Sequence, residues 1–416
     1  MASSIPLNAG RAVTGDHTMT GGRTLMLVLA TVGFVINFWA WALLSPLAPR
    51  LREHLGLNSF EESLVVAVPV IVGSLGRIPV GALADRYGGR VMFPVVSLIT
   101  VVPVLFLGLA GDTGLVALLI GGFFLGVGGT VFAVGVPFVS RWFPPEQQGL
   151  AIGVYGMGMG GTAISALTTV QLVDMGSTAT PFLLCAVALA VYAVVSWFLL
   201  RDAPGRTAPA ESMTTRLKQT VRLPATWEAS ALYAVAFGGF VAFSVYLPSY
   251  LRTAYDLSQA DAANRMAGFV LLAVIMRPVG GWLVDRFNGP VVLAVTLGFV
   301  VAAAVVQSAT PDLMPVGTIA FLVLAAALGA GSGATFGLVA LIAPPGKVGA
   351  ITGFVGAAGG LGGFVPPLVM GAIYESTSDY GPGLLALAAV ALAALVFTLT
   401  VVRREVARQG GRFDDA

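Results

Sequence analysis

The chain has 416 residues, of which 57% are apolar and only 10% charged, against about 25% charged in soluble domains. A net charge of +2 gives no reason to expect a nucleic-acid partner. One cysteine, Cys185, and two histidines, His17 and His54, leave no disulfide and no metal cluster to build.

Apolar windows of about 20 residues, each long enough to cross a ~30 Å hydrocarbon core as a helix, recur along the whole chain. They predict spans at 25–49, 62–84, 91–110, 114–139, 149–171 and 179–201. A polar stretch, "RDAPGRTAPAESMTTRLKQTVRLPAT", follows, and six more spans come at 227–251, 260–285, 290–309, 316–342, 349–374 and 382–402. The expected fold is an all-α membrane protein of twelve transmembrane helices. Its organisation would be an N-terminal tail (1–24), a six-helix half (25–201), a linker (202–226), a second half (227–402) and a tail (403–416).

With both ends inside, the inner segments hold sixteen Lys and Arg, and the outer loops hold Arg50, Arg52, Arg252 and Arg265. That bias predicts cytoplasmic termini and a cytoplasmic linker. The first 22 residues lack the apolar stretch of a signal peptide, in keeping with this orientation.

The two halves repeat at an offset of 200 residues. Arg77 aligns with Arg277, Gly81 with Gly281, Asp85 with Asp285 and Arg86 with Arg286. The same shift aligns Gly149, Gly153, Gly156 and Gly160 with Gly349, Gly353, Gly356 and Gly360. Parallel halves of this kind are the architecture of alternating-access carriers, whose substrate sits between them near the midplane.

Arg77 and Arg277 each precede an aspartate by eight residues, a helical rise of about 12 Å. Both therefore belong near the middle of the membrane, where charged residues face a cavity and mark a pathway. The spans offer no Asp, Glu or Lys away from their ends to pair with them. One reading is that the two guanidinium groups await an anion, whose flat oxygen face suits their planar fork. The other is structural: backbone carbonyls at the Gly-rich helices satisfy them. The missing interior carboxylates also favour exchange of anions over proton symport, although a proton carried with the substrate or through Tyr233 stays open.

Gly149, Gly153, Gly156 and Gly160 share one helical face, as do their counterparts in the second half. Such a face lets backbones approach closely, as a static seam or as a surface on which the halves rock. The further glycines Gly158, Gly161, Gly359, Gly362 and Gly363 argue for the rocking surface.

"GALADRYGGR" (81–90) resembles the loop motif that follows the second helix of the major facilitator superfamily. The resemblance implies a charge latch, making Asp85, Arg86 and Arg90, and by the repeat Asp285 and Arg286, gating residues. "GVGGTVFAVGVPFVSRWFPPEQQGLAIGVYGMGMGG" (126–161) and its partner at 349–367 resemble the paired signatures of the nitrate/nitrite porter family. Over essentially the whole chain, that resemblance implies an anion site made of Arg77, Arg277, Phe38, Phe132, Tyr233 and Phe237. It departs from the family at Tyr155 and Gly160, where relatives commonly carry asparagine.

The resulting expectation is a secondary transporter of nitrate and nitrite in the cytoplasmic membrane, working by exchange. Membrane lipid and the small anion would be its only partners, a single chain would suffice, and no cofactor is implied. Competing readings are a proton-coupled symporter, a carrier of larger organic anions, and a non-transporting membrane sensor. Catalysis has no nucleophile–base pair or nucleotide loop behind it.

Overall fold

In the computed structural model, which describes residues 11–206, 211–344, 347–404 and 406, helices dominate and twelve are long and apolar enough to cross a membrane. The spans of the first half are Gly22–Ala48, Leu64–Tyr87, Gly89–Thr113, Leu115–Trp142, Pro145–Met175 and Thr180–Leu199. Those of the second are Pro224–Ser244, Asn264–Arg286, Gly289–Ser308, Leu313–Ile342, Val348–Pro366 and Gly381–Val402. Their outward faces carry bare apolar side chains such as Val102, Leu109, Val116, Val187 and Phe198, as a lipid-facing surface requires. An even number of spans brings the start of the first, the linker and the end of the last to one face of the bundle, here termed the linker face.

The first helix begins at Arg11, well before its apolar part, so the segment expected as a tail is helical from that residue; residues 1–10 and most of the C-terminal tail lie outside the described residues. The polar linker also contains a helix, Met213–Val221, started by the Ser212 side chain, which accepts a bond from the Thr215 amide.

The halves differ in how they cross the midplane. In the first half, the second span breaks at Gly76, between the helices Ser59–Leu75 and Arg77–Tyr87. The fourth passes through a 3₁₀ turn at Gly126–Thr130, and the fifth through another at Met157–Gly160. Glycines at these points lower the cost of leaving the α-helix, and a mid-helix 3₁₀ turn frees carbonyls and marks a hinge. The counterparts in the second half, Gln259–Arg286, Thr318–Ile342 and Val348–Thr377, run unbroken. The largest buried cluster joins both halves around Phe34, Phe38, Phe132, Tyr155, Met159, Tyr233, Phe237 and Phe336.

Candidate anion site and gate

Arg77 and Arg277 come from different halves, and each is only 3% exposed. Arg77 starts a new helical segment immediately after the Gly76 break. Its Nε donates to the Gly129 carbonyl at 3.1 Å, and its Nη1 to the Gly356 carbonyl at 2.9 Å. The first acceptor is on the 3₁₀ turn of the fourth span; the second is across the interface, on the eleventh. Two backbone carbonyls thus hold Arg77, as the structural reading anticipates.

Arg277 is held differently. Its Nη2 donates to the Tyr233 hydroxyl at 3.1 Å, and its Nη1 meets the Met159 thioether on the other half. Its buried Nε has no hydrogen-bond partner. Among the described residues neither guanidinium pairs with a carboxylate. A guanidinium has five N–H donors, so Arg277 in particular leaves donors unspent.

Aromatic rings enclose both groups. The Phe132 ring lies between them, 5.5 Å from Arg77 Cζ and 6.0 Å from Arg277 Cζ. Phe38 covers Arg77 at 6.0 Å and Phe237 covers Arg277 at 5.6 Å. Phe132 and Tyr233 lie parallel within 3° with centroids 6.4 Å apart, and Phe237 stacks on Tyr233 at 4.8 Å. Phe336, a residue the sequence reading missed, stands edge-on to both Phe132 and Tyr233, at 4.7 and 4.5 Å. A ring face is electronegative, so this box favours the two cations while keeping water out. All six residues inferred for the site therefore meet at one place.

The two family departures sit at its edge. Tyr155 is fully buried, stacks on Phe34 at 4.9 Å and donates to the Val131 carbonyl at 2.8 Å. Gly160 adjoins open space, since a Cβ there would meet no atom within 4 Å.

Below the site, towards the linker face, the glycine faces form the seam between halves. A Cβ on Gly153 would lie 2.6 Å from Pro278 Cα, and one on Gly353 would lie 2.5 Å from the Arg77 carbonyl oxygen. One on Gly156 would lie 2.8 Å from Arg277 Nε, and one on Gly356 2.9 Å from Arg77 Cδ. Glycine here admits the partner backbone and the arginine stems. On the other side of the site Gly360 abuts Ser74, also across the interface.

The extra glycines do not serve that seam, contrary to the rocking-surface reading. Gly158 packs on Phe34, Gly161 on Val35, Gly359 on Tyr233, Gly362 on Ala234 and Gly363 on Val241, each within its own half. They bring the first helix against the fifth and the seventh against the eleventh, which seats the aromatic box.

Asp85 and Asp285 close the seam at the linker face. Asp85, fully buried, accepts from the amides of Gly349 at 3.2 Å and Ala350 at 3.0 Å, at the start of the eleventh span. Asp285 accepts from the amides of Gly149 and Leu150, both at 2.7 Å, at the start of the fifth. Asp85 thus caps a helix of the opposite half, where free N–H groups and the helix dipole favour an anion, whereas Asp285 meets amides one turn into the helix Pro145–Gly156.

The cations expected beside Asp85 are not its partners. Arg86 and Arg90 are exposed; Arg86 lies over the Tyr87 ring, and Arg90 donates only its backbone amide to Asp202. Arg286 is likewise exposed, over Trp282. Asp85 instead pairs with Arg141 at 3.1 Å and with Arg216 of the linker helix at 2.9 Å. The same linker bonds the second half, where Lys347 Nζ donates to Gln219 at 2.7 Å. Arg141 carried a faint signal as a basic residue four positions before the helix that starts at "PEQQG", whereas nothing in the polar linker singled out Arg216.

A sequence model of the Major Facilitator Superfamily matches residues 30–367 and 266–414. The chain is 49% identical over 395 residues to a probable nitrate/nitrite transporter, NarK2, of Mycobacterium tuberculosis, covering 94% of this chain and all of that one. It belongs to the nitrate/nitrite porter family of the major facilitator superfamily. A nitrite extrusion protein of Bacillus subtilis is 35% identical, over 93% of this chain and 96% of its own length. A fucose:proton symporter of Escherichia coli, FucP, has the same fold with a TM-score of 0.72 at 18% identity, covering 91% of this chain and 98% of its own. The human organic anion transporter MFSD10 gives 0.75 at 14% identity, covering 90% of this chain and 99% of that one. The family's members are multi-pass membrane transporters, and this chain is one of them.

Proposed function

We propose that this porter carries nitrate and nitrite across the cytoplasmic membrane by exchange, with one anion held between Arg77 and Arg277. The observation that carries the reading is the pair of buried, carboxylate-free guanidinium groups on opposite halves, facing one aromatic box. A small flat oxyanion neutralises both, accepts paired hydrogen bonds from their forks and fits against parallel rings. The relatives' names agree in substrate.

In the closed linker face the glycine seam and the bonds of the two aspartates to opposite-half amides hold the halves together. An anion bridging the arginines would draw the halves together at the centre and offset the loss of those bonds as that face opens. Among the described residues no carboxylate pairs with either arginine, which favours exchange over proton symport. One chain contains the whole pathway, and the sixteen-to-four excess of basic residues supports a cytoplasmic linker face.

The test is uptake of labelled nitrate into proteoliposomes, with and without internal nitrite, at equal pH on both sides. Uptake that needs internal nitrite supports exchange. Uptake into empty vesicles that grows with an imposed proton gradient would replace exchange with symport, and no nitrate movement in either case would overturn the substrate.

A further inference from the structure

The two arginines are not equivalent, and the difference lies in what holds each one. Arg77 spends Nε and Nη1 on carbonyl oxygens, one from each half. These are good acceptors, fixed by the backbone. Arg277 has a phenol on Nη2 and a thioether on Nη1, and its Nε lies against the backbone of Gly156 without a partner. A thioether is a weak acceptor. Of the two guanidinium groups, Arg277 therefore has more to gain from an oxyanion.

Met159 reaches Arg277 for a local reason. It is on the 3₁₀ turn Met157–Gly160, where the fifth span leaves its helix beside the site. It is buried, 4% exposed, within the cluster that contains the aromatic box. A buried donor left without any acceptor costs far more than a poor bond gains. Sulfur on a flexible side chain satisfies that donor while yielding readily to a better acceptor.

We propose that Met159 is a displaceable placeholder: its thioether takes Arg277 Nη1, and an incoming oxyanion takes that donor from it. The proposal rests on the anion reading above and adds two consequences. Met159 sets affinity, because every anion must compete with it. It also links binding to movement, because Met159 and Arg277 belong to opposite halves and their separation releases one tie between them. Arg77, with Nε and Nη1 on carbonyls, meets the anion through its remaining Nη2 donors.

The test is nitrate titration of the purified full chain by calorimetry, at constant ionic strength, for wild type, Met159→Leu and Met159→Gln. Leucine keeps the volume and removes the acceptor, a swap that cores tolerate well. Glutamine keeps the length and supplies a stronger oxygen acceptor. A net hydrogen bond changes an equilibrium by about two- to tenfold. The expected result is tighter nitrate binding by about that factor in Met159→Leu and weaker binding by a similar factor in Met159→Gln. A packing role predicts no such opposed signs. Nitrate affinity that is unchanged or weaker in Met159→Leu would overturn the placeholder while leaving the anion site intact. A wild-type chain that binds neither nitrate nor nitrite would defeat the anion reading, and the placeholder with it.

Discussion

Replacing Gly281 by alanine tests whether the glycine seam holds the linker face shut. A Cβ at this position would lie 1.9 Å from the carbonyl oxygen of Gly149 on the other half, against 3.4 Å for an ordinary contact. The obstacle is backbone on a helix, so it cannot turn aside. The halves must part locally by the difference, about 1.5 Å. That movement would stretch the two bonds from the Gly149 and Leu150 amides to Asp285, now 2.7 Å each, beyond hydrogen-bond range. Overpacking of this kind costs about 1–3 kcal/mol. Taking about 2 kcal/mol, the closed linker face would lose roughly 30-fold in population relative to the open one. Open states escape the clash because the seam is separated there. The assay is labelling of single cysteines introduced along this face, in a chain whose only native cysteine, the buried Cys185, is replaced by serine. Gly268→Ala, on the same span with nothing within 4 Å of its Cβ, is the control. Labelling and transport equal to the control would refute the seam as the element that sets the closed state.

Arg77→Lys and Arg277→Lys should each abolish nitrate transport while leaving a folded, inserted protein, since ammonium cannot reproduce the planar fork; flux assays on purified variants check this. Asp85→Asn removes the charge that faces Arg141, Arg216 and two amides, a loss of about 3–5 kcal/mol for a buried pair. It should open the linker face to labelling more strongly than Arg216→Gln, which leaves the Arg141 pair in place. Gly160→Ala should be tolerated, because its Cβ meets nothing, whereas Gly360→Ala, pressed against Ser74 across the interface, should slow turnover. Comparing transport rates at equal expression separates these two outcomes.

Much of this architecture was legible in the chain itself. Twelve apolar windows demand spanning helices, because a backbone in hydrocarbon must satisfy its own hydrogen bonds. The 200-residue offset placed Arg77 and Arg277 at matching depths, and the fold brings them to one site with the four aromatic residues named for it. Partners across the interface were another matter. Arg86 directly follows Asp85, and adjacent residues on a helix do not share a face; it points away, and the carboxylate meets Arg141 and Arg216 instead. The glycines illustrate the same division. Helical spacing identified two close-packing faces, but which glycines face the other half depends on how rigid helices dock. The structure assigned Gly153 and Gly353 to the seam, and Gly158 and Gly359 to packing inside each half. Local pattern, through hydrophobic length and helical period, determined the spans, the repeat and the depth of the charges. Only the docking of the two halves decided which carbonyls, thioether and carboxylate those charges meet, because such partners lie up to 279 residues apart and share no local signal.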